Sequence, residues 1–250
     1  MLPQIDPDTL QANLTLDRKI LTERDLVNWQ KSLTFEWIQE YLNELIEGSK
    51  QLGDSKGTSQ VGFTVSLTGC DELTLSTRFR TSQVIQQLVQ FLDQVSELCN
   101  QHEQGNHTPS NHKHENFIEF RSKLSKLIAS LHSALPSLPT AALPELKFHL
   151  TRSFGSISRL DYGTSHELSF LLYLLILRLT SSLSASDSTP TLKLFKQYWE
   201  VSEHVRKTFG LEEAGKRGVW KKDEEGGGRM WFDSGASQAR GKNSSLPSPS

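Results

Sequence analysis

The sequence predicts an all-α protein built from several helices. Apolar residues recur at spacings of three and four in at least five segments, which is the period of a helix with one buried face. Residues 168–180 are apolar on nearly every side, which is typical of a helix at the centre of a bundle. Only residues 61–77 alternate in the manner of strands, so the chain offers at most one hairpin.

The first predicted helix begins at Thr22, which stands three residues before Asp25 and can cap the first turn. Gly48 is its expected end. Its apolar stripe consists of Leu26, Trp29, Leu33, Trp37, Tyr41 and Leu45. Residues 49–81 fit two descriptions equally well, a β-hairpin or an irregular Ser/Thr-rich loop.

Five further helices are predicted over residues 81–99, 117–131, 141–151, 168–180 and 192–209. Pro144 falls in the first turn of the third of these, where proline is tolerated. The polar residues 102–115 and the Ser/Thr-rich residues 180–189 are predicted to be loops.

The composition indicates an intracellular protein. The chain has 250 residues, 27 Lys and Arg against 29 Asp and Glu, and 36% hydrophobic residues. This charge balance argues against a nucleic-acid partner, which requires a clustered basic face. No apolar run approaches the roughly 20 residues of a membrane span. Because there is no secretory signal and only Cys70 and Cys99 could pair, we expect a protein of the cytoplasm, or of the cytoplasm and nucleus.

Three regions are expected along the chain. Residues 1–20 read as an extended arm, residues 21–220 as a helical domain, and residues 221–250 as a Gly/Ser/Pro-rich tail. The tail is too poor in apolar residues to offset the entropy of ordering it, so we expect it to be disordered.

Residues 153–167, called the signature segment below, concentrate charged and polar side chains between two predicted helices. Thr164 and Glu167 have the spacing of a capping box, in which the Thr side chain accepts from the Glu amide. Capping leaves Arg159 without a role, and a guanidinium beside a helix N-terminus is suited to phosphate or carboxylate. The residues alone favour capping and anion binding about equally.

Two other sets of residues could carry chemistry. One consists of four histidines in a polar stretch, namely His102, His107, His112 and His114. No thiolates or closely spaced carboxylates accompany them, so solvated loop histidines are favoured over a metal site. Neither cysteine stands beside a histidine at a helix start, which favours inert thiols.

The signature segment resembles the signature of the phosphotyrosyl phosphatase activator family, the activators of protein phosphatase 2A. The residues that carry the resemblance are Ser153-Phe154-Gly155 and Arg159-Leu160-Asp161-Tyr162-Gly163-Thr164-Ser165-His166-Glu167. Residues 25–48 resemble the N-terminal helix of the family, and residues 195–201 and 211–220 resemble its later helix and loop. With gaps, the resemblance covers residues 20–220.

The resemblance implies a core, a linker and a lid around a deep cleft. It also implies binding of ATP and magnesium, action on the catalytic subunit of protein phosphatase 2A or a related phosphatase, and cis/trans isomerisation of a proline-containing peptide segment. The positions implied to contact the nucleotide are Arg159, Gly163, Thr164 and Ser165, and those implied for magnesium are Gly218 and Asp223 or Glu224. The other positions implied to line the cleft are Asp161, Tyr162, His166 and Glu167.

Two departures from the family pattern shape the functional expectation. Ser165 stands where the family has a glycine, and the family's continuation is not recognised after Trp220, so we expect the C-terminal part of the fold to be missing. The leading hypothesis is a phosphatase activator with prolyl isomerase activity. The alternatives are a non-catalytic phosphatase-docking protein, a truncated inactive product, or a helical scaffold.

Overall fold

The computed structural model describes residues 2–5, 20–53, 82–105, 113–135 and 138–214, and this part of the chain is mostly helical. Its helices are α1 Glu23–Gln30, α2 Leu33–Gly53, α3 Gln83–Gly105, α4 Lys113–Ala134, α5 Leu143–Arg152, α6 Thr164–Leu179 and α7 Ser188–Phe209. Two short strands, β1 Asp161–Tyr162 and β2 Glu212–Glu213, pair in parallel. The all-α prediction is confirmed. The possible hairpin at 61–77 and the predicted tail lie outside the described residues.

The apolar stripe from Leu26 to Leu45, which predicted a single first helix, is divided between α1 and α2. Thr22 caps α1 as predicted, because Asp25 N donates to Thr22 Oγ1 at 3.2 Å and the Asp25 carboxylate accepts from Thr22 N at 3.0 Å. Ser32 separates α1 from α2. Its hydroxyl donates to Trp29 O at 2.6 Å and accepts from Phe35 N at 3.3 Å. One serine thus serves both helix ends, which is why the prediction of a continuous helix is wrong.

Gly48 does not end α2, which continues to Gly53. A Cβ on Gly48 would lie 2.6 Å from Ser188 Oγ at the start of α7, and Thr189 Oγ1 donates to Gly48 O at 3.0 Å. The glycine therefore allows two helices to approach closely. The prediction of a helix end here is wrong because the glycine serves packing.

Helix α6 lies at the centre of the core, as its apolar sequence predicted. Ten of its sixteen residues are buried. The Phe170 ring stacks on Tyr198 of α7 with centroids 3.8 Å apart. Arg178 is also buried, and its guanidinium makes two hydrogen bonds to the Glu44 carboxylate of α2, at 2.8 and 3.1 Å. This pairing satisfies a charge that would otherwise be costly inside the core.

Helices α5 and α2 pack against α6. Helix α7 packs against α2 and α3, and α5 packs against α4 and α6. Helices occupy part of both stretches predicted to be loops, since α3 reaches Gly105, α4 begins at Lys113 and α7 begins at Ser188. None of the described helices is long and apolar enough to cross a bilayer.

Candidate functional site

The signature segment folds into a tight loop between α5 and α6. Ser156 N donates to Asp161 O at 3.1 Å, and Leu160 N donates to Ser156 O at 2.8 Å, so residues 156–161 close on themselves. Gly155 has a φ of 102° and Leu160 a φ of 50°, and both values lie in the left-handed region. That region suits glycine and is unusual for leucine. The loop is thus held in a conformation that the chain would not adopt freely.

Arg121 of α4 anchors the start of this loop. Its Nη1 donates to Gly155 O at 3.1 Å and also to Thr151 O. Burial lowers the pKa of Arg121 to about 10, and the guanidinium lies 5.9 Å from the centroid of the Phe117 ring. Sequence analysis gave Arg121 no role, because only the fold brings residues 30 or more positions apart into contact.

Tyr162 anchors the other end of the loop in the core. It is 6% exposed, and its hydroxyl donates to Ser202 Oγ at 2.9 Å and lies 3.0 Å from the hydroxyl of Tyr198. Tyr198 in turn donates to Ser153 O at 2.8 Å, so the network ties α7 to both ends of the signature segment. The structure therefore places Tyr162 inside the core, with its hydroxyl engaged there.

Arg159 and Asp161 form the charged edge of the site. Arg159 Nε donates to Asp161 Oδ2 at 2.8 Å. The Arg159 side chain is 57% exposed, whereas that of Asp161 is 14% exposed. A guanidinium has five N–H donors in a planar fork, so the exposed part of Arg159 can still bind an anion while Nε holds Asp161.

His166 lies beneath this edge and is 1% exposed. Its Nδ1 donates to Arg152 O at 2.7 Å, and its Nε2 lies 3.6 Å from Asp161 Oδ1. Burial is the main cause that lowers the pKa of His166, and the Arg152 carbonyl and the Asp161 carboxylate oppose it. The imidazole is therefore held in one orientation with Nε2 facing a carboxylate.

The first turn of α6 does not contain the predicted capping box. Gly163 is the N-cap, Thr164 is the first helical residue, and the cap has no side-chain hydrogen bond. The amides of His166 and Glu167 instead donate to Gly163 O, at 2.8 and 3.4 Å. The prediction that the Thr164 side chain accepts from the Glu167 amide is wrong, because the helix begins at Thr164 itself, one residue earlier than a Thr164 cap requires. Thr164 and Ser165 are exposed.

Glu167 is half-buried on the side of α6 that faces α7. Burial raises its pKa, and a hydrogen bond from the Trp199 side chain acts in the opposite direction. Trp199 of α7 is 52% exposed. Glu167 and Trp199 thus place a carboxylate and an indole, both partly facing solvent, at the C-terminal end of the signature segment.

The strand pair joins the signature segment to residues 211–214, which begin the last stretch that resembles the family. Asp161 pairs with Glu212 and Tyr162 with Glu213, and Ala214 N donates to Tyr162 O at 2.8 Å. Two stretches that are 51 residues apart in the sequence thus form one site. The solvent-facing edge consists of Arg159, Thr164 and Ser165, with Asp161 and Glu167 half-buried behind it.

The structure does not describe the residues that the resemblance implied for magnesium. Gly218, Asp223 and Glu224 lie outside the described residues, and within the described ranges no group of three or more His, Cys, Asp or Glu could hold a metal ion. Among the other candidates, His102 and His114 lie on α3 and α4, whereas His107, His112 and Cys70 fall outside the described ranges. Cys99 is buried, and burial raises the pKa of its thiol to about 12, so it remains a thiol at neutral pH.

Comparison with known proteins identifies similar chains. Residues 16–248 match the sequence model of the family described as "Phosphotyrosyl phosphate activator (PTPA) protein", a range that extends beyond Trp220. "Serine/threonine-protein phosphatase 2A activator 2" of Candida albicans is 28% identical over 214 residues, which are 84% of this chain and 52% of that protein. "Serine/threonine-protein phosphatase 2A activator" of Drosophila melanogaster is 29% identical over 212 residues, 83% of this chain and 47% of that protein.

The fold also matches a solved structure. The crystal structure of the PP2A phosphatase activator Ypa1 PTPA1 aligns with a TM-score of 0.59 at 23% identity, over 78% of this chain and 57% of that one. At this identity the likeness establishes the fold. The chain spans about half the length of the curated relatives it matches.

Proposed function

The chain belongs to the phosphotyrosyl phosphatase activator (PTPA) family, and on that basis we propose that it binds the catalytic subunit of protein phosphatase 2A, or of a related phosphatase, and activates it. The relatives named above are phosphatase 2A activators. The observation that carries the proposal is that Arg159, Thr164 and Ser165 form an exposed polar edge at the signature segment, which Arg121 anchors at its start and Tyr162 anchors to α7.

We further propose that this edge binds the phosphates of ATP. Arg159 offers N–H donors beyond the one that holds Asp161, and Thr164 and Ser165 place hydroxyls at the N-terminal turn of α6. A helix N-terminus and a guanidinium both favour negative charge, so these residues fit a phosphate group. Gly163 allows the backbone to pass close to Ala214. Ser165 adds a side chain where the family has a glycine, and we expect it to limit how closely a ligand approaches the backbone.

ATP would supply a triphosphate whose charge the Arg159 guanidinium partly neutralises. Magnesium, if held by Gly218 and by Asp223 or Glu224 as the resemblance implies, would neutralise two more of its charges. The role of this chain's described residues is then to orient the phosphates, through Arg159, and to keep the loop rigid, through Arg121 and Tyr162.

The finer proposal is that the protein is a peptidyl-prolyl isomerase acting on a proline-containing peptide segment. Rotation about a peptide bond crosses a barrier of about 18–20 kcal/mol without breaking a bond, so it requires a surface that favours the twisted amide and no nucleophile. Of the four residues that the resemblance placed along the cleft, Tyr162 and His166 are engaged in the core. Asp161 and Glu167 lie nearer to solvent.

A phosphatase assay tests the main proposal. The purified chain is added to the catalytic subunit of protein phosphatase 2A with and without ATP and magnesium, and the rate of phosphopeptide dephosphorylation is measured. We expect a higher rate that depends on ATP, is weakened in Arg159→Ala and is preserved in Lys123→Ala. Lys123 is a matched control because it is similarly exposed and also paired, with Glu119 at 2.8 Å on α4. An unchanged rate with wild-type chain at saturating concentration would contradict activation.

A separate assay tests the isomerase proposal. The rate of cis-to-trans conversion of a proline peptide derived from the phosphatase is measured with and without the chain. Acceleration supports catalysis. Binding of the chain to the phosphatase without acceleration would contradict the isomerase proposal and support the docking alternative.

A further inference from the structure

The contact between His166 and Asp161 is unusual because it leaves two buried polar atoms facing each other. Arg152 O can only accept, so the 2.7 Å contact requires that His166 Nδ1 carries a proton. His166 Nε2 and Asp161 Oδ1 are 3.6 Å apart, and neither atom has a hydrogen-bond partner among the described residues. When the imidazole is neutral and Nδ1 carries its proton, Nε2 has only a lone pair, which then faces an oxygen of the Asp161 carboxylate.

The surroundings of His166 favour the neutral form near neutral pH and allow the cation at lower pH. Burial and the Arg152 guanidinium lower its pKa, whereas the Arg152 carbonyl and Asp161 raise it. The groups that face it from the elements packed around it are Arg152 of α5, Asp161 and Tyr162 of β1, and Tyr198 of α7. Tyr162 stacks on the imidazole with centroids 5.5 Å apart, and Tyr198 contacts only the His166 carbonyl, so neither tyrosine adds a charge.

We propose that His166 is a positioning residue that acts on Arg159 through Asp161, so that proton uptake by His166 frees the Arg159 guanidinium for a phosphate-bearing ligand. The proposal rests on the nucleotide site proposed above and adds its regulation. When His166 is neutral, Asp161 is paired with Arg159 alone, through Oδ2 at 2.8 Å. When His166 is protonated, Nε2–H can donate to Oδ1, and a small closure of the 3.6 Å gap makes an ionic hydrogen bond.

The charges of the three side chains show the expected direction. Asp161, Arg159 and neutral His166 sum to zero, and protonation of His166 makes the sum +1. The carboxylate is then shared between two cations, so its hold on Arg159 weakens. A proton on His166 adds a positive charge behind the partly exposed edge, and we expect it to strengthen binding of a phosphate there roughly threefold to tenfold.

This effect of His166 on Arg159 through Asp161, called the relay below, is tested first without any ligand. Nitrogen NMR of the full chain follows the imidazole of His166 and the Nε–H of Arg159 from neutral to acidic pH. We expect the Arg159 resonance to move with the same midpoint as His166. In His166→Gln and in Asp161→Asn the Arg159 resonance should not move over that range, because the titrating group or the carboxylate between them is gone. His132 is assigned separately in the same spectra, because burial lowers its pKa as well, to about 4.

The ligand is tested second, with ATP as the probe. The ratio of ATP affinities of wild type and His166→Gln is measured at each pH, so that protonation of ATP itself cancels. We expect the ratio to rise threefold to tenfold as His166 takes up its proton.

The outcomes separate the relay from the nucleotide site. An Arg159 resonance that follows His166 while ATP binds to neither protein would support the relay and contradict the nucleotide proposal. An Arg159 resonance that stays constant while His166 titrates overturns the relay, whether or not ATP binds. Because that comparison uses wild-type protein alone, it remains decisive even if a variant fails to fold.

Discussion

Gly163 and Ala214 lie so close that a methyl group cannot fit between them. A Cβ built on Gly163 would be 2.8 Å from the Cβ of Ala214. The φ of Gly163 is 179°, an extended value open to any residue, so space and not backbone conformation requires a glycine here. This close approach lets Ala214 N donate to Tyr162 O at 2.8 Å, and it thereby joins the signature segment to the chain that follows α7.

We predict that Gly163→Ala destabilises the protein by separating these two stretches. Adding a methyl group to a filled space costs about 1–3 kcal/mol of unfolding free energy. Urea unfolding followed by circular dichroism measures the loss. The matched control is the double variant Gly163→Ala with Ala214→Gly, which removes the methyl group that the new one meets. Most of the lost stability should return in it, and equal losses in the single and double variants would show that the contact does not explain the glycine.

Thr164→Ala should leave the stability of the protein nearly unchanged. Sequence reasoning assigned Thr164 a capping role worth about 0.5–2 kcal/mol, but Gly163 is the N-cap and the Thr164 side chain is exposed. We therefore expect a change within about 0.5 kcal/mol. Ser184→Ala is the control, since the Ser184 hydroxyl donates to Asp187 Oδ2 at 2.8 Å, and its loss should cost about 1 kcal/mol. A loss for Thr164→Ala as large as that for Ser184→Ala would restore the capping role.

The stability of the protein should fall as pH drops from 6.5 toward about 4. Burial lowers the pKa of His132 to about 4, so the folded protein keeps this imidazole neutral while the unfolded chain already binds a proton. The unfolded state thus gains protons first and is favoured as the pH falls, and His166 acts in the same direction.

His132→Phe isolates the contribution of His132. The ring stacks on Tyr173 with centroids 5.9 Å apart, and phenylalanine keeps an aromatic ring there without a titrating group. Urea midpoints measured across this pH range should fall less steeply in the variant. Identical slopes in the two proteins would show that His132 does not contribute.

Local patterns predicted most of the helices, because an apolar period of three to four residues is sufficient for a helix with a buried face. The almost uniformly apolar sequence of α6 predicted its central position. The helix ends were less predictable. Gly48 acts through the start of α7, which no local pattern contains. Ser32 acts through residues three positions away on either side, but the unbroken apolar stripe gave no sign of a break there.

The sequence predicted which segment forms the candidate site, but not how its side chains are placed in three dimensions. The identity of Arg159 and its neighbours was visible in the sequence, but the burial of Tyr162 and His166 depends on α5 and α7. The strand pair between residues 161–162 and 212–213 arises from tertiary packing, since strands of two residues carry no alternating pattern. Arg121 was missed for the same reason, because both of its acceptors belong to another part of the chain.

The central claim, that the edge at Arg159 binds a nucleotide, is tested most directly by calorimetric titration of ATP with magnesium. Wild type, Arg159→Ala and the control Lys123→Ala are compared, and their unfolding free energies are measured alongside. Because Arg159 is largely exposed, its removal should cost less than about 1 kcal/mol of stability. Loss of charge-assisted hydrogen bonds to phosphate should weaken binding roughly tenfold or more, while Lys123→Ala binds as wild type does. Equal affinities for wild type and Arg159→Ala would contradict the account.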